Sequence, residues 1–232
     1  MIKMIHKLDN IPVNTTFEQV LKRLRIEEDE DIELVSELFE KAKEIAMPKV
    51  LYREAYVEDI SGKTVKINGF DFQSDVLAMN LKNVHRVFAY VCTCGTEVDD
   101  WSHNEKDYVV SLWLDMIKEM FLHEANIYLR EYIKKSYGLD KLSSVNPGSG
   151  NEDNWHISQQ SPLFSMINGI GGVKEEIGVT LTESFLMIPT KSTSGLLYPS
   201  DTEFVNCALC GRENCPGRRA EFDSELYART FK

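Results

Sequence analysis

The sequence predicts an α+β fold, and three observations carry that reading. Apolar residues at helical spacing mark residues 17–45 and the uninterrupted stretch 107–137. Runs of β-branched and aromatic residues bounded by turn signals mark 50–72, 84–92, 179–188 and 195–198. Helices come first and strands later, without the regular βαβ alternation of a doubly wound sheet.

Composition sets the outer limits. A chain of 232 residues buries about 70% of its unfolded surface and needs no disulfide staple. With 43% hydrophobic and 27% charged residues, 13 Gly and 7 Pro, it is neither disordered nor fibrous. The formal net charge of −11 repels phosphate backbones and anionic lipid, so neither nucleic acid nor a membrane is an expected partner. No secretory signal or bilayer-length apolar run occurs, and five unevenly placed cysteines do not make a secreted disulfide framework. The expected location is cytoplasmic. The expected organisation is one unit over 1–232, made of N-terminal helices and a hairpin (1–83), a core (84–198) and a cysteine-rich segment (199–232).

Thr15 and Thr16 offer an N-capping hydroxyl to a first helix carrying Phe17, Val20, Leu21 and Leu24. The acidic run 27–31 opens a second helix with a stripe of Ile32, Val35, Leu38, Phe39, Ala42 and Ile45, stopped by Pro48. Segments 50–60 and 63–72 read as strands in hairpins, with Ser61-Gly62 between them and Asn68-Gly69 inside the second. Residues 84–92 form a buried strand ending at Thr93-Cys94-Gly95. Residues 107–137 form the longest helix, stopped by Gly138. After Asp140, Ser, Asn, Gly and Pro dominate 143–154. A short helix over 158–167 follows, then a glycine-rich connection at 168–172 and strands at 179–188 and 195–198.

Four features bear on chemistry. Cys207, Cys210 and Cys215, spaced x2 and x4 around Gly211, have the spacing of a metal site, with Cys92 or Cys94 as the available fourth thiol. Zinc and an iron–sulfur cluster both fit, and Pro216 directly after Cys215 is a feature of ferredoxin-type runs. Asp115, Glu119 and His123 share one face of the long helix at i, i+4 and i+8, either lining a polar cleft or facing solvent. Pro147-Gly148-Ser149-Gly150 exposes backbone N–H groups but lacks P-loop and dinucleotide spacing. Trp155, His156, Gln159 and Gln160 beside it either offer an aromatic plane and amides to a flat polar ligand or form a helix N-terminus with ordinary packing. No nucleophile elbow, zincin or Walker sequence occurs.

The stretch Leu181-Thr182-Glu183-Ser184-Phe185-Leu186-Met187-Ile188-Pro189, followed by Ser192-Thr193-Ser194-Gly195, closely resembles the activation domain of vitamin B12-dependent methionine synthase. The upstream Pro147-Gly148 and the helix with Asp115 and Glu119 match in order, so the resemblance covers about 84–198. It implies a twisted antiparallel sheet with packed helices around a shallow cleft. It also implies a domain that binds S-adenosylmethionine and covers the corrin of a neighbouring cobalamin domain. In that family, inactive cob(II)alamin is reduced by one electron and trapped by methyl transfer. Carried onto this sequence, the cofactor-binding positions are Asp115, Glu119, Pro147, Gly148, Glu183, Ser194, Gly195 and Tyr198.

The chain departs from the family pattern at several of these places. Ser144 stands where the family has Arg, Ser149 where it has Tyr, and Leu196 and Leu197 where it has an aromatic pair. Loss of a paired guanidinium anchor and of aromatic walls predicts weak or absent S-adenosylmethionine binding. At 232 residues the chain cannot also hold the other methionine synthase modules. The expectation is therefore a separate subunit of a cobalamin-dependent methyltransferase system. It would dock on a corrinoid-binding protein, with the Cys207, Cys210 and Cys215 segment supplying a cluster that relays electrons. The alternative is a non-catalytic interaction subunit with structural zinc.

Overall fold

The computed structural model describes residues 5–150, 154–201, 204, 206–215, 218 and 220–231. The N-terminal part runs β1 (Ile5–Leu8), α1 (Phe17–Leu24), α2 (Asp29–Ile45), β2 (Lys49–Ser61), β3 (Thr64–Ile67), β4 (Phe70–Gln73) and α3 (Asp75–Leu81). The middle holds β5 (Arg86–Thr93), α4 (Thr96–Ser102), α5 (Tyr108–Tyr137) and β6 (Leu142–Val145). Then come α6 (Gln160–Ile167), α7 (Gly169–Ile177), β7 (Thr180–Leu181), β8 (Met187–Ile188), β9 (Ser192–Pro199) and α8 (Ser224–Thr230).

Local chemistry sets the ends of the helices. Thr16 and Gln19 form a reciprocal capping box at the start of α1. Asp107 accepts from the Val109 and Val110 N–H groups at the start of α5, and Gly138, at φ 63°, closes its far end. The sheet is antiparallel in every pairing, with order β4-β3-β2-β5-β9-β6 and β1 added alongside β2. Helices cover both faces. On one, α1, α2 and α5 bury Phe39, Phe121, Tyr52, Phe88 and Leu197; on the other, α3, α6 and α7 bury Leu51, Phe72, Trp155, Leu196 and Tyr198. Within the first face Lys118 is only 6% exposed. Its Nζ donates to Asp99 Oδ1 and Ser102 Oγ, both at 2.8 Å, which ties α4 to α5.

The expected strand at 179–188 is instead a separate two-stranded hairpin, β7–β8, outside the main sheet. Its turn is closed from within. Thr182 Oγ1 accepts from Leu186 N–H at 3.0 Å, Phe185 N–H donates to Thr182 O at 3.0 Å, and Phe185 sits at φ 63°. The glycine-rich connection at 168–172 is the first half of α7. Val173 and Ile177 are fully buried there, and packing overrides the weak helix propensity of three glycines. The polar stretch after Asp140 contributes β6, whose four residues are all buried. Residues 203 and 205 lie outside the described residues, and Asn206 opens a 3-10 turn.

Cys92 and Cys94 are buried on the α5 face. Burial pushes both thiols up, Cys94 to about 12, with the Asp99 carboxylate adding to the shift. Folded-state values above the unfolded value of about 8.5 mean a contribution complete below that pH and lost as pH rises towards 12. Alkylation of the native protein at about pH 8 should therefore leave Cys92 and Cys94 unmodified by peptide mass spectrometry, and unfolding midpoints should fall as pH rises above about 8.5. Labelling of either cysteine without unfolding would contradict this placement.

Candidate functional site

β6 pairs with β9 only from Leu142↔Pro199 to Val145↔Leu196, so among the described residues no strand pairs with the outer edge of β9 from Ser192 to Gly195. The chain leaves β6 there through the turn Asn146-Pro147-Gly148-Ser149. Ser149 N–H donates to Asn146 O at 3.2 Å, and Gly148 lies at φ 75°. Asn146 Nδ2 reaches back to cap the edge, donating to Ser194 O at 2.8 Å and to the Tyr90 hydroxyl at 2.7 Å. Between this turn, α5 and α1 lies a cleft of about 1120 Å³.

The α5 wall presents Glu119, His123, Asn126 and Arg130, one residue per turn. Thr193 Oγ1 donates to Asn126 Oδ1 at 3.1 Å. The half-buried Arg130 guanidinium donates to Ser144 Oγ at 2.7 Å and to Leu142 O at 3.0 Å. The α1 side supplies Lys22, Arg23 and Arg25, with Arg23 paired to Glu119 at 3.0 Å. Glu124 accepts from Thr15 Oγ1 at 3.2 Å. Four cations thus face two carboxylates in a chain whose net charge is −11, so the cleft favours a ligand carrying an anionic group.

Of the residues expected from sequence, Glu119, Pro147, Gly148 and Ser194 line this cleft; Asp115, Glu183, Gly195 and Tyr198 do not. Asp115 turns to Lys191, 2.7 Å away, and towards Lys118. Glu183 sits exposed in the β7–β8 turn, while Met187 of that hairpin reaches the cleft. Tyr198 is buried on the opposite face, its hydroxyl donating to Asn80 Oδ1 at 2.9 Å. Gly195 acts through the side chain it lacks. A Cβ there would stand 2.5 Å from Asn146 Nδ2 and 2.6 Å from Val145 O.

The aromatic and amide group beside the turn is structural. Trp155 is fully buried edge-on to Phe72, Gln160 accepts from Ser194 Oγ at 3.1 Å, Gln159 accepts from Gln73 N–H, and His156 caps a 3-10 turn. Sequence reasoning missed Arg130, Asn126, Asn146 and Ser192. The first two continue the Glu119–His123 face, so extending that face by two turns would have found them.

Cys207, Cys210 and Cys215 are half-buried, and none lines the cleft. The Arg218 guanidinium occupies their loop, donating to the carbonyls of Cys207, Cys210, Arg212 and Ala220. Among the described residues no three His, Cys, Asp or Glu side chains are grouped to hold a metal ion. The loop gathers main-chain carbonyls on the Arg218 guanidinium. Among the described residues no helix is long and apolar enough to cross a membrane.

No protein-family model and no curated protein matches the chain. A solved structure does: a crystal structure of the MetH reactivation domain bound to AdoHcy, with a TM-score of 0.60, 13% identity, and coverage of 87% of this chain and 80% of that one. The chain shares the fold of the MetH reactivation domain. At 13% identity the likeness speaks for fold alone, and it reaches beyond the stretch 84–198 on which the sequence resemblance rests. The reactivation-domain fold here has a curled antiparallel sheet with helices packed on it, as the sequence resemblance implied.

Replacing Gly195 by Ala sets a methyl against a main-chain oxygen that cannot move without breaking the β6–β9 pairing. Overpacking of this kind costs about 1–3 kcal/mol. Chemical denaturation should show that loss; an unchanged midpoint would mean that Asn146 does not close on β9 in solution.

Proposed function

We propose that the chain is a separate subunit that docks on a corrinoid protein and assists its reductive reactivation or methyl transfer, with the cleft holding an S-adenosyl ligand. The observation that carries this reading is Arg130. Ser144 occupies the family's Arg position, and a guanidinium from α5 stands against its hydroxyl in the same cleft as Pro147, Gly148 and Ser194. The anchor absent from the loop is thus offered from the helix, as a planar fork suited to a carboxylate. Glu119 and Glu124 face the cleft where an ammonium or sulfonium needs a counter-charge.

A corrin bound to the partner supplies the redox and methyl-accepting chemistry. The residues of this chain bind and orient the methyl donor and screen it from water. Leu186 and Ile188, 55% and 48% exposed, flank Met187 at the cleft and give the rim the apolar surface that a docking partner covers. Electron relay through Cys207, Cys210 and Cys215 forms no part of this proposal, because Arg218 fills their loop.

No aromatic wall stands at Ser149 or Leu197, so affinity should be modest. Calorimetry should give AdoHcy a dissociation constant of roughly 0.1 mM, about −5.5 kcal/mol, and Arg130→Ala should weaken it at least tenfold, worth about 1.4 kcal/mol. Anaerobic affinity capture should enrich a protein whose visible spectrum reports a bound corrinoid. Failure of AdoHcy to bind would refute the ligand assignment, and capture of colourless partners only would refute the docking assignment.

A further inference from the structure

Asn206 to Leu209 form a 3-10 turn, closed where Cys210 N–H donates to Cys207 O at 3.1 Å. Residues three apart in such a turn are one full turn apart, so their side chains eclipse and their Cα atoms stand about 6 Å from one another. A disulfide spans Cα atoms about 4.4 to 6.8 Å apart. The turn thus sets Cys207 and Cys210, both present as thiols, one above the other within bonding span. Cys215 lies outside this turn, beyond Gly211.

Three contacts hold the turn in place. Leu209, between the two cysteines, is fully buried in the core that α3 and α6 cover. Ala208 O accepts from Asp223 N–H at 2.8 Å, which ties the turn to the start of α8. The Arg218 guanidinium donates to Cys207 O at 3.4 Å and to Cys210 O at 3.1 Å, so one planar fork fixes the main chain at both cysteines. A pair positioned in advance loses little conformational freedom when its bond forms, which favours closing one internal disulfide over forming two separate mixed ones. Cys207 and Cys210 are half-buried, whereas Cys92 and Cys94 are fully buried, so a small reagent has access to the first pair and not to the second.

We propose that Cys207 and Cys210 form a thiol–disulfide exchange site whose co-substrate is a low-molecular-weight disulfide, with Arg218 as a positioning residue. None of the three lines the cleft, and the site is independent of the ligand bound there. In the exchange one cysteine, as thiolate, attacks a sulfur of the small disulfide, forming a mixed disulfide and releasing one thiol. The second cysteine, as thiolate, attacks the protein sulfur of that mixed disulfide, closing the bond between Cys207 and Cys210 and releasing the second thiol. The two cysteines give up two electrons and two protons, and the small disulfide takes both to become two thiols.

Glutathione disulfide is the probe, applied to the intact chain at about pH 8 and quenched with acid. Trypsin cuts after Arg212, which separates Cys215 from the pair. The peptide holding Cys207 and Cys210 should be lighter than its reduced form by about 2 Da, the mass of two hydrogens, with Cys92 and Cys94 unmodified. Cys215→Ser should leave this product unchanged, and Cys207→Ser should stop at a glutathione adduct on Cys210. In glutathione redox buffers Arg218→Ala should lower the equilibrium constant for closing the bond roughly three- to tenfold. Arg218→Lys should recover only part of it, because an ammonium lacks the planar fork. Glutathione adducts on both cysteines of the wild type without the internal bond, or a disulfide from either cysteine to Cys215, would overturn the exchange site. An Arg218→Ala variant that melts at a lower temperature yet keeps the wild-type constant would overturn the role given to Arg218, since a residue serving only the fold would behave in that way.

Discussion

Asn146 and the Val145 carbonyl come up against β9 at the point where residue 195 would carry a side chain, so that residue has to be glycine. The close approach decides where β6 stops. With Asn146 bonded to Ser194 O and the Tyr90 hydroxyl, the chain turns away through Pro147 and Gly148 and leaves the strand edge beyond it unpaired. An open edge inside a protein is usually covered by a helix or a loop. Here the face of α5 and the α1 cations stand opposite it with space between, and that space is the cleft.

The same 30-residue helix serves the core and the cleft. Ile117, Phe121, Ala125, Leu129 and Ile133 bury one stripe against the sheet, and Glu119, His123, Asn126 and Arg130 point the adjoining stripe into the cleft. Fixing the helix by its apolar stripe therefore fixes the polar residues beside it, as a rigid binding site requires. The buried Lys118–Asp99 pair adds a directional constraint near the start of the helix, where a purely apolar contact would leave its rotation less specified.

Features encoded by local chemistry were legible in the sequence. The Asp107 cap and Gly138 stop bracket α5, Thr16 caps α1, and Gly62 and Gly69 turn the hairpins of β2, β3 and β4, all within a few residues of the expected places. Features encoded by distant contacts were not. The β-branched and aromatic residues of Thr180 to Ile188 read as one strand, yet the Thr182 hydroxyl folds the segment into a hairpin. Gly195 and Tyr198 follow the family motif but work through what they exclude or bury. The guanidinium that stands against Ser144 comes from a helix residue 14 positions earlier in the chain, a contact visible only when the two elements are brought together. The cysteine spacing suggests a metal in one dimension, and in three Arg218 gathers the carbonyls of the same loop.

On the proposed function, the open edge of β9 is a ligand-binding surface rather than an incidental gap. Amide-resolved NMR during titration of the intact chain with AdoHcy tests it directly. The largest shifts should fall on the main-chain amides of Ser192 and Ser194 and on the side-chain amide of Asn146, with Arg130 responding at the far end. Saturable shifts confined to the β2–β3 side of the sheet or to the C-terminal cysteine loop, with β9 silent, would contradict it.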